Sequence, residues 1–187
     1  MKRALWILIA AAALGCGSEK KAAERYEDAL RLAENGQNAE AVDALRQTLK
    51  RRPEHSAAND RLGRLYLEAG DSANAAAHLK RAAGDEAYAD RHLALRHLGD
   101  ALAAEGQLNE AYAALTKSIA LRESGAAFYS LARVFAQAND MDGAAMALNE
   151  AVRLDPTRLA DLFKDPAFQR FRASPSAADL VKEADAP

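Results

Sequence analysis

The sequence predicts an all-α protein built of repeated helix pairs, and three observations carry that reading. Half of the residues are hydrophobic, yet aromatics make up only 6% of the chain. Alanine dominates the apolar set, and alanine is the strongest helix former. Next, four stretches align in one register: "NGQNAEAVDAL", "AGDSANAAAHL", "EGQLNEAYAAL" and "ANDMDGAAMAL". In each, a turn residue (Gly36, Gly70, Gly106, Asn139) precedes an alanine (Ala41, Ala75, Ala111, Ala144), and a leucine follows one helical turn later (Leu45, Leu79, Leu115, Leu148). The alanines recur every 33 to 36 residues, the spacing of an array of supersecondary units. Finally, "RLGRLY", "HLGDAL" and "SLARVF" lie upstream of the turns. They share a leucine, a small residue and an apolar residue at the spacing of one helix face.

The chain opens with Met-Lys-Arg, then the apolar run "ALWILIAAAAL" from Ala4 to Leu14. A basic start, a short apolar run and small residues before a cut are the parts of a secretory signal. A membrane-spanning helix needs roughly 20 apolar residues, more than this run supplies. The single cysteine, Cys16, follows at once in "ALGC". One thiol forms no internal disulfide and no metal site. The tetrad resembles a bacterial lipobox, which implies removal of residues 1–15 and lipidation of Cys16 as the first mature residue. Gly15 fits that pattern, whereas Ala13 and Leu14 depart from its usual order of leucine and then a small residue. Ordinary cleavage near the same place is the alternative. Gly17 after the cysteine, where an aspartate would mark retention in the inner membrane, points by analogy to the outer membrane facing the periplasm. Residues 16–21 are a short linker.

From residue 22 the repeat sets four units, at 22–55, 56–91, 92–124 and 125–158. Asp71 and Asp140 follow their turns and are placed to cap the second helix. Pro53 and Pro156 close two units where a proline ends a helix without disturbing it. The first unit departs most, with Asp28 and Ala29 in place of the leucine and glycine. The second carries a longer loop in "GDEAYAD".

With Leu62–Gly63–Tyr66, Leu98–Gly99–Leu102 and Leu131–Ala132–Phe135 in the first helices and the four alanines in the second, the chain resembles the tetratricopeptide repeat (TPR) family. The resemblance implies a right-handed solenoid of antiparallel helix pairs. Each unit buries its face on the next, so the last needs a lid. Residues 159–173 supply Leu159, Leu162, Phe163, Phe168 and Phe171 for a capping helix, and residues 174–187 read as a mobile tail.

Chemistry is hard to find. The four histidines lack metal-helix spacing, and no HExxH, Walker glycine loop or G-x-S-x-G elbow occurs. No catalytic residue, metal or cofactor is expected, and no small-molecule substrate. The whole chain carries a net charge of −2, and removing Lys2 and Arg3 with the signal makes it more acidic. That balance offers nucleic acid no electrostatic footprint. The resemblance implies instead a concave partner-binding groove on the first helices, here Tyr26, Asp60, Arg64, Arg96, Asp100, Tyr129 and Arg133. The arginines present a rigid fork of donors to a carboxylate, and the tyrosines offer flat anchors. Pairing of those arginines with Asp60 and Asp100 as surface ion pairs is the competing reading. Removing Arg96 and Arg133 together is expected to weaken partner capture with melting unchanged.

The expected role is a lipid-anchored adaptor or assembly factor that holds other envelope proteins or peptide segments. The alternative is a soluble periplasmic or secreted spacer with no dedicated groove ligand.

Overall fold

Alanine-rich amphipathic segments separated by glycine turns fold as the pattern dictates. The computed structural model describes residues 20–184, and among these every regular element is helical. Eight long helices come first: α1 (20–34), α2 (Asn38–Arg51), α3 (Ser56–Glu68), α4 (Ser72–Gly84), α5 (Arg91–Ala104), α6 (Leu108–Leu121), α7 (Gly125–Gln137) and α8 (Met141–Leu154). They form consecutive antiparallel pairs. The chain divides into two compact units at Tyr88, α1–α4 in the first and α5 onward in the second. Cys16 and the signal-like segment lie outside the described residues.

The turn residues earn their place by backbone geometry. Gly36, Gly70 and Gly106 have φ of 75°, 78° and 73°, and Asn139 has 63°. This left-handed region is open to glycine and, among side-chain-bearing residues, most readily to asparagine. Each turn closes the same way. Gly106 N–H donates to Ala103 O at 3.0 Å and Gln107 N–H to Leu102 O at 2.8 Å, the paired bonds of a Schellman C-cap. Asp71 and Asp140 then cap α4 and α8 by accepting from Asn74 N and Gly143 N, as their position after the turn predicts.

Packing follows the repeat register. Ala41, Ala75, Ala111 and Ala144 are fully buried, as are Leu45, Leu79, Leu115 and Leu148. Ala29, which stands where the first unit lacks the repeat's glycine, is also fully buried, so the small side chain suffices there. In unit 1, α2 packs on α3 and α3 runs along α4, around Ala29, Ala41, Leu45 and Leu62. In unit 2, α5 runs along α6 and α7 along α8.

The C-terminal segment differs from expectation in two ways. The lid is broken into α9 (Arg158–Lys164), a 3-10 turn at Pro166–Phe168 and α10 (Gln169–Arg172). Pro166 cannot continue α9, because it lacks the N–H and disfavours helical geometry in the residue before it. Leu162, Phe168 and Phe171 are fully buried, while Phe163 is 40% exposed. Residues 174–184, expected to be mobile, form a second 3-10 turn (Pro175–Ala177) and α11 (Ala178–Ala184). Ala177 and Leu180 join the core of unit 2. Small apolar residues hid this in the sequence, since "SAADLV" has too few large side chains to announce a packed face.

Ala111 sits at the crossing of α5 and α6, so enlarging it forces side chains out of their rotamers. Ala111→Phe should cost about 1–3 kcal/mol, while the same change at exposed Ala104 should be close to neutral. Denaturant melts of the two variants check the register.

Candidate binding surface

The groove positions fall on α1, α3, α5 and α7, the first helix of each pair, and each is held by different neighbours. In unit 1 the Tyr26 ring rests 4.8 Å from that of His55. Asp60 is 5% exposed and accepts from the Tyr88 hydroxyl at 3.3 Å. Arg64 is half-buried and makes no ion pair or hydrogen bond through its guanidinium among the described residues.

Unit 2 behaves otherwise. Arg96 donates to Asp100 at 3.2 Å, both side chains about four-fifths buried. Arg133 lies 4.0 Å from the other Asp100 oxygen and, through Nε, 3.1 Å from Asp165. Tyr129 donates its hydroxyl to the same Asp165 oxygen at 3.3 Å. Burial, with Asp165 and Asp161 close by, pushes the Tyr129 hydroxyl well above the ordinary phenol range, so it stays a donor. Its ring meets Phe168 edge-on at 5.3 Å.

Arg96, Asp100, Tyr129 and Arg133 therefore come together, but as a self-neutralised network closed by the chain's own Asp165. This corrects two expectations. Tyr129 is only 9% exposed and is a packed core residue, no open anchor for a partner. Removing Arg96 and Arg133 leaves Asp100 and Asp165 without cations in a half-dry setting, so melting should fall. Of the competing reading, in which the arginines pair with Asp60 and Asp100 at the surface, only Arg96 with Asp100 forms a close pair, and it is largely buried, while the nearer partner of Arg133 is Asp165.

Asp165 is the residue that sequence reasoning missed. It lies outside the repeat, and its only local signal is "DP", where the carboxylate also caps the 3-10 turn by accepting from Ala167 N at 2.9 Å. Arg172 fixes the same loop by donating to Leu162 O and Asp165 O at 2.7 and 3.1 Å. A second surface also escaped notice. An apolar cleft of about 450 Å³ lies between α7 and α8, lined by Phe128, Leu131, Phe135, Met146 and Ala147 with Glu150 at its rim. Among the described residues no cluster of His, Cys, Asp and Glu could hold a metal ion, and no helix is long and apolar enough to cross a membrane.

The tetratricopeptide repeat model matches residues 26–92, 61–125 and 96–158, which spans most of the chain. The chain belongs to the tetratricopeptide repeat family. Solved TPR structures share its fold. PilW, a type IV pilus biogenesis factor, is 22% identical with a TM-score of 0.73, covering 88% of this chain and 75% of PilW. MamA from Desulfovibrio magneticus RS-1 is 18% identical with a TM-score of 0.72, covering 88% and 93%. YrrB, a TPR protein with an unusual peptide-binding site, is 17% identical with a TM-score of 0.66, covering 86% and 82%. No curated protein matches the sequence. The TPR architecture supports a role in binding other proteins or peptides.

A double-mutant cycle on Arg133→Gln and Asp165→Asn measures how firmly the lid closes the network. Because Arg133 is 38% exposed, solvent screening holds the coupling to about 0.5–1 kcal/mol. Additive effects in denaturant melts would mean that the lid rests on apolar packing alone.

Proposed function

We propose that this TPR protein is a lipid-anchored envelope adaptor that captures an extended, acidic segment of a partner on the α1 and α3 face of unit 1. The observation that carries the reading is the contrast between the arginines. Arg96 and Arg133 are spent on Asp100 and Asp165, whereas Arg64 is half-buried and its guanidinium has no ion pair or hydrogen bond among the described residues. Desolvating an unpaired guanidinium is costly unless a partner supplies acceptors, and hydrogen bonds to a charged group contribute about 1.5–3 kcal/mol where water is excluded. Leu30, Ala33 and Leu67 stand on the same first helices, each half-buried, and offer apolar contact beside the charge. The peptide-binding site named for YrrB and the type IV pilus biogenesis named for PilW fit such use of the fold.

Anchoring rests on the sequence ahead of the repeats. A basic start, the apolar run and "ALGC" support an acyl group on Cys16. Acyl chains contribute about 0.8 kcal/mol per buried CH₂, so more than one chain on Cys16 holds the protein to a bilayer. The outer membrane, with the TPR units in the periplasm, is the proposed site. A soluble spacer role is the outcome that remains if both features prove idle.

Pull-down from envelope membranes with Arg64→Glu and Cys16→Ser tests the two parts separately. Arg64→Glu should lose the captured partner at least tenfold with melting unchanged, and added salt should weaken wild-type capture because exposed charges are screened within about 8 Å. Cys16→Ser should accumulate as precursor or leave the membrane. Unchanged capture by Arg64→Glu overturns the binding face, and wild-type protein that fractionates without detergent overturns the anchor.

A further inference from the structure

Asn59 and His78 form a polar pair at a place where the two later TPR repeats are apolar, while the first repeat has Arg25 and Ala44 there. Taking Leu62, Leu98 and Leu131 as equivalent, the counterparts of Asn59 are Leu95 and Phe128. Taking Leu79, Leu115 and Leu148 as equivalent, the counterparts of His78 are Ala114 and Ala147. Asn59 is fully buried. Its amide donates to Pro53 O at 2.8 Å and to His55 O at 3.3 Å. That leaves its oxygen facing His78 Nδ1 at 2.9 Å, so His78 must carry its proton on Nδ1 to donate. His55 has the opposite tautomer. Its Nδ1 accepts the Ala58 N–H as the N-cap of α3, so that nitrogen must be bare.

One buried amide therefore ties together two histidines, and the ring contacts extend the tie across unit 1. His55 lies against Tyr26 of α1, and His78 stacks on Tyr66 of α3 at 5.7 Å. Tyr66 in turn accepts from Arg46 of α2 at 2.7 Å. The charges acting on the rings are cationic: Arg52 on His55, and Arg81 from its own helix with Arg46 from α2 on His78. Arg46 is only loosely balanced by Asp43 at 3.8 Å.

We propose that His55 and His78 form an acid-sensitive latch that holds unit 1 closed when neutral and releases α1 and the first turn of α3 when protonated. A proton on His55 must go to Nδ1, where it removes the side-chain cap of α3 and puts a cation beside Arg52. A proton on His78 goes to Nε2, which keeps the Asn59 bond but adds a third cation to Arg46 and Arg81. Burial and these arginines hold both histidines below their ordinary value. Stability from each is thus complete above the unfolded value near 6.5 and is lost as pH falls through the lower folded value. Among the described residues unit 2 has no histidine cap at the equivalent sites: Asp90 makes no side-chain cap bond to α5, and Ser124 caps α7 with a hydroxyl that does not titrate.

Native-state hydrogen exchange on the full chain in detergent reads local opening directly. Between about pH 7 and pH 5, after correction for intrinsic exchange, the opening constant of α1 and of the start of α3 should rise about tenfold or more, since each depressed group contributes up to tenfold per pH unit. Helices α5–α8 should change far less. The double variant His55→Asn, His78→Asn keeps an oxygen cap and an amide donor but cannot titrate, and it should flatten the dependence. Equal loss of protection in both units overturns the latch. So does a double variant that opens in acid as wild type does, and so does a unit 1 whose protection ignores pH.

Discussion

Everything in this TPR structure depends on how closely the two helices of a pair approach. At Gly63 and Gly99 a methyl group would stand 2.5 Å from the Cγ of Leu79 and Leu115, well inside van der Waals contact. The leucine of the second helix fills the space that a first-helix side chain would take. That contact buries Leu79 and Leu115 completely, and each contributes about 1.5–3 kcal/mol. Helices of 13 or 14 residues are marginal alone, so this packing is what makes them helices at all. In the last pair Ala132 replaces the glycine and is fully buried, so the crossing there admits one methyl.

The same economy explains the lid. The last pair has no following repeat, and its exposed side is covered by Leu162, Phe168 and Phe171, all fully buried. Three such side chains outweigh the single ion pair that Asp165 makes, so apolar burial attaches the segment and Asp165 sets its register. Asp165 nonetheless changes the character of the surface in unit 2. By neutralising Arg133 and engaging Tyr129, it turns a stretch of the family's groove into structure. Unit 1 keeps Arg64, whose guanidinium has no ion pair or hydrogen bond among the described residues, and the Asn59–His78 pair, the two features on which the proposed binding face and pH response rest.

Much of the fold was legible in the sequence because close crossings and left-handed turns each tolerate few residue types. Glycine or asparagine at the turn, alanine after it and leucine a helical turn later are forced by sterics, so they repeat visibly. The lid was legible only in its large residues. Its breaks and the packing of residues 174–184 depend on Pro166, Ala177 and Leu180, which follow no period. The groove candidates could be assigned to their helices from the sequence, but their pairing could not. Arg96 with Asp100, one helical turn apart, is readable from spacing; Arg133 with Asp165 is not, because only the folded lid brings them together. The histidines were legible only as lacking metal-site spacing, for a related reason. Their chemistry comes from Asn59, which looks like any polar helix residue until its burial is known.

The crossing is most directly tested by adding one methyl where there is room and where there is none. Alanine favours a helix over glycine by about 0.5–1 kcal/mol, so propensity alone raises stability at either place. Gly84, at the end of α4, has nothing within 4 Å of a built methyl, whereas Gly99 meets Leu115. Denaturant melts should show Gly84→Ala neutral or slightly more stable than wild type and Gly99→Ala less stable by about 1–3 kcal/mol. A Gly99→Ala variant as stable as Gly84→Ala would mean that the helix pairs do not depend on that approach.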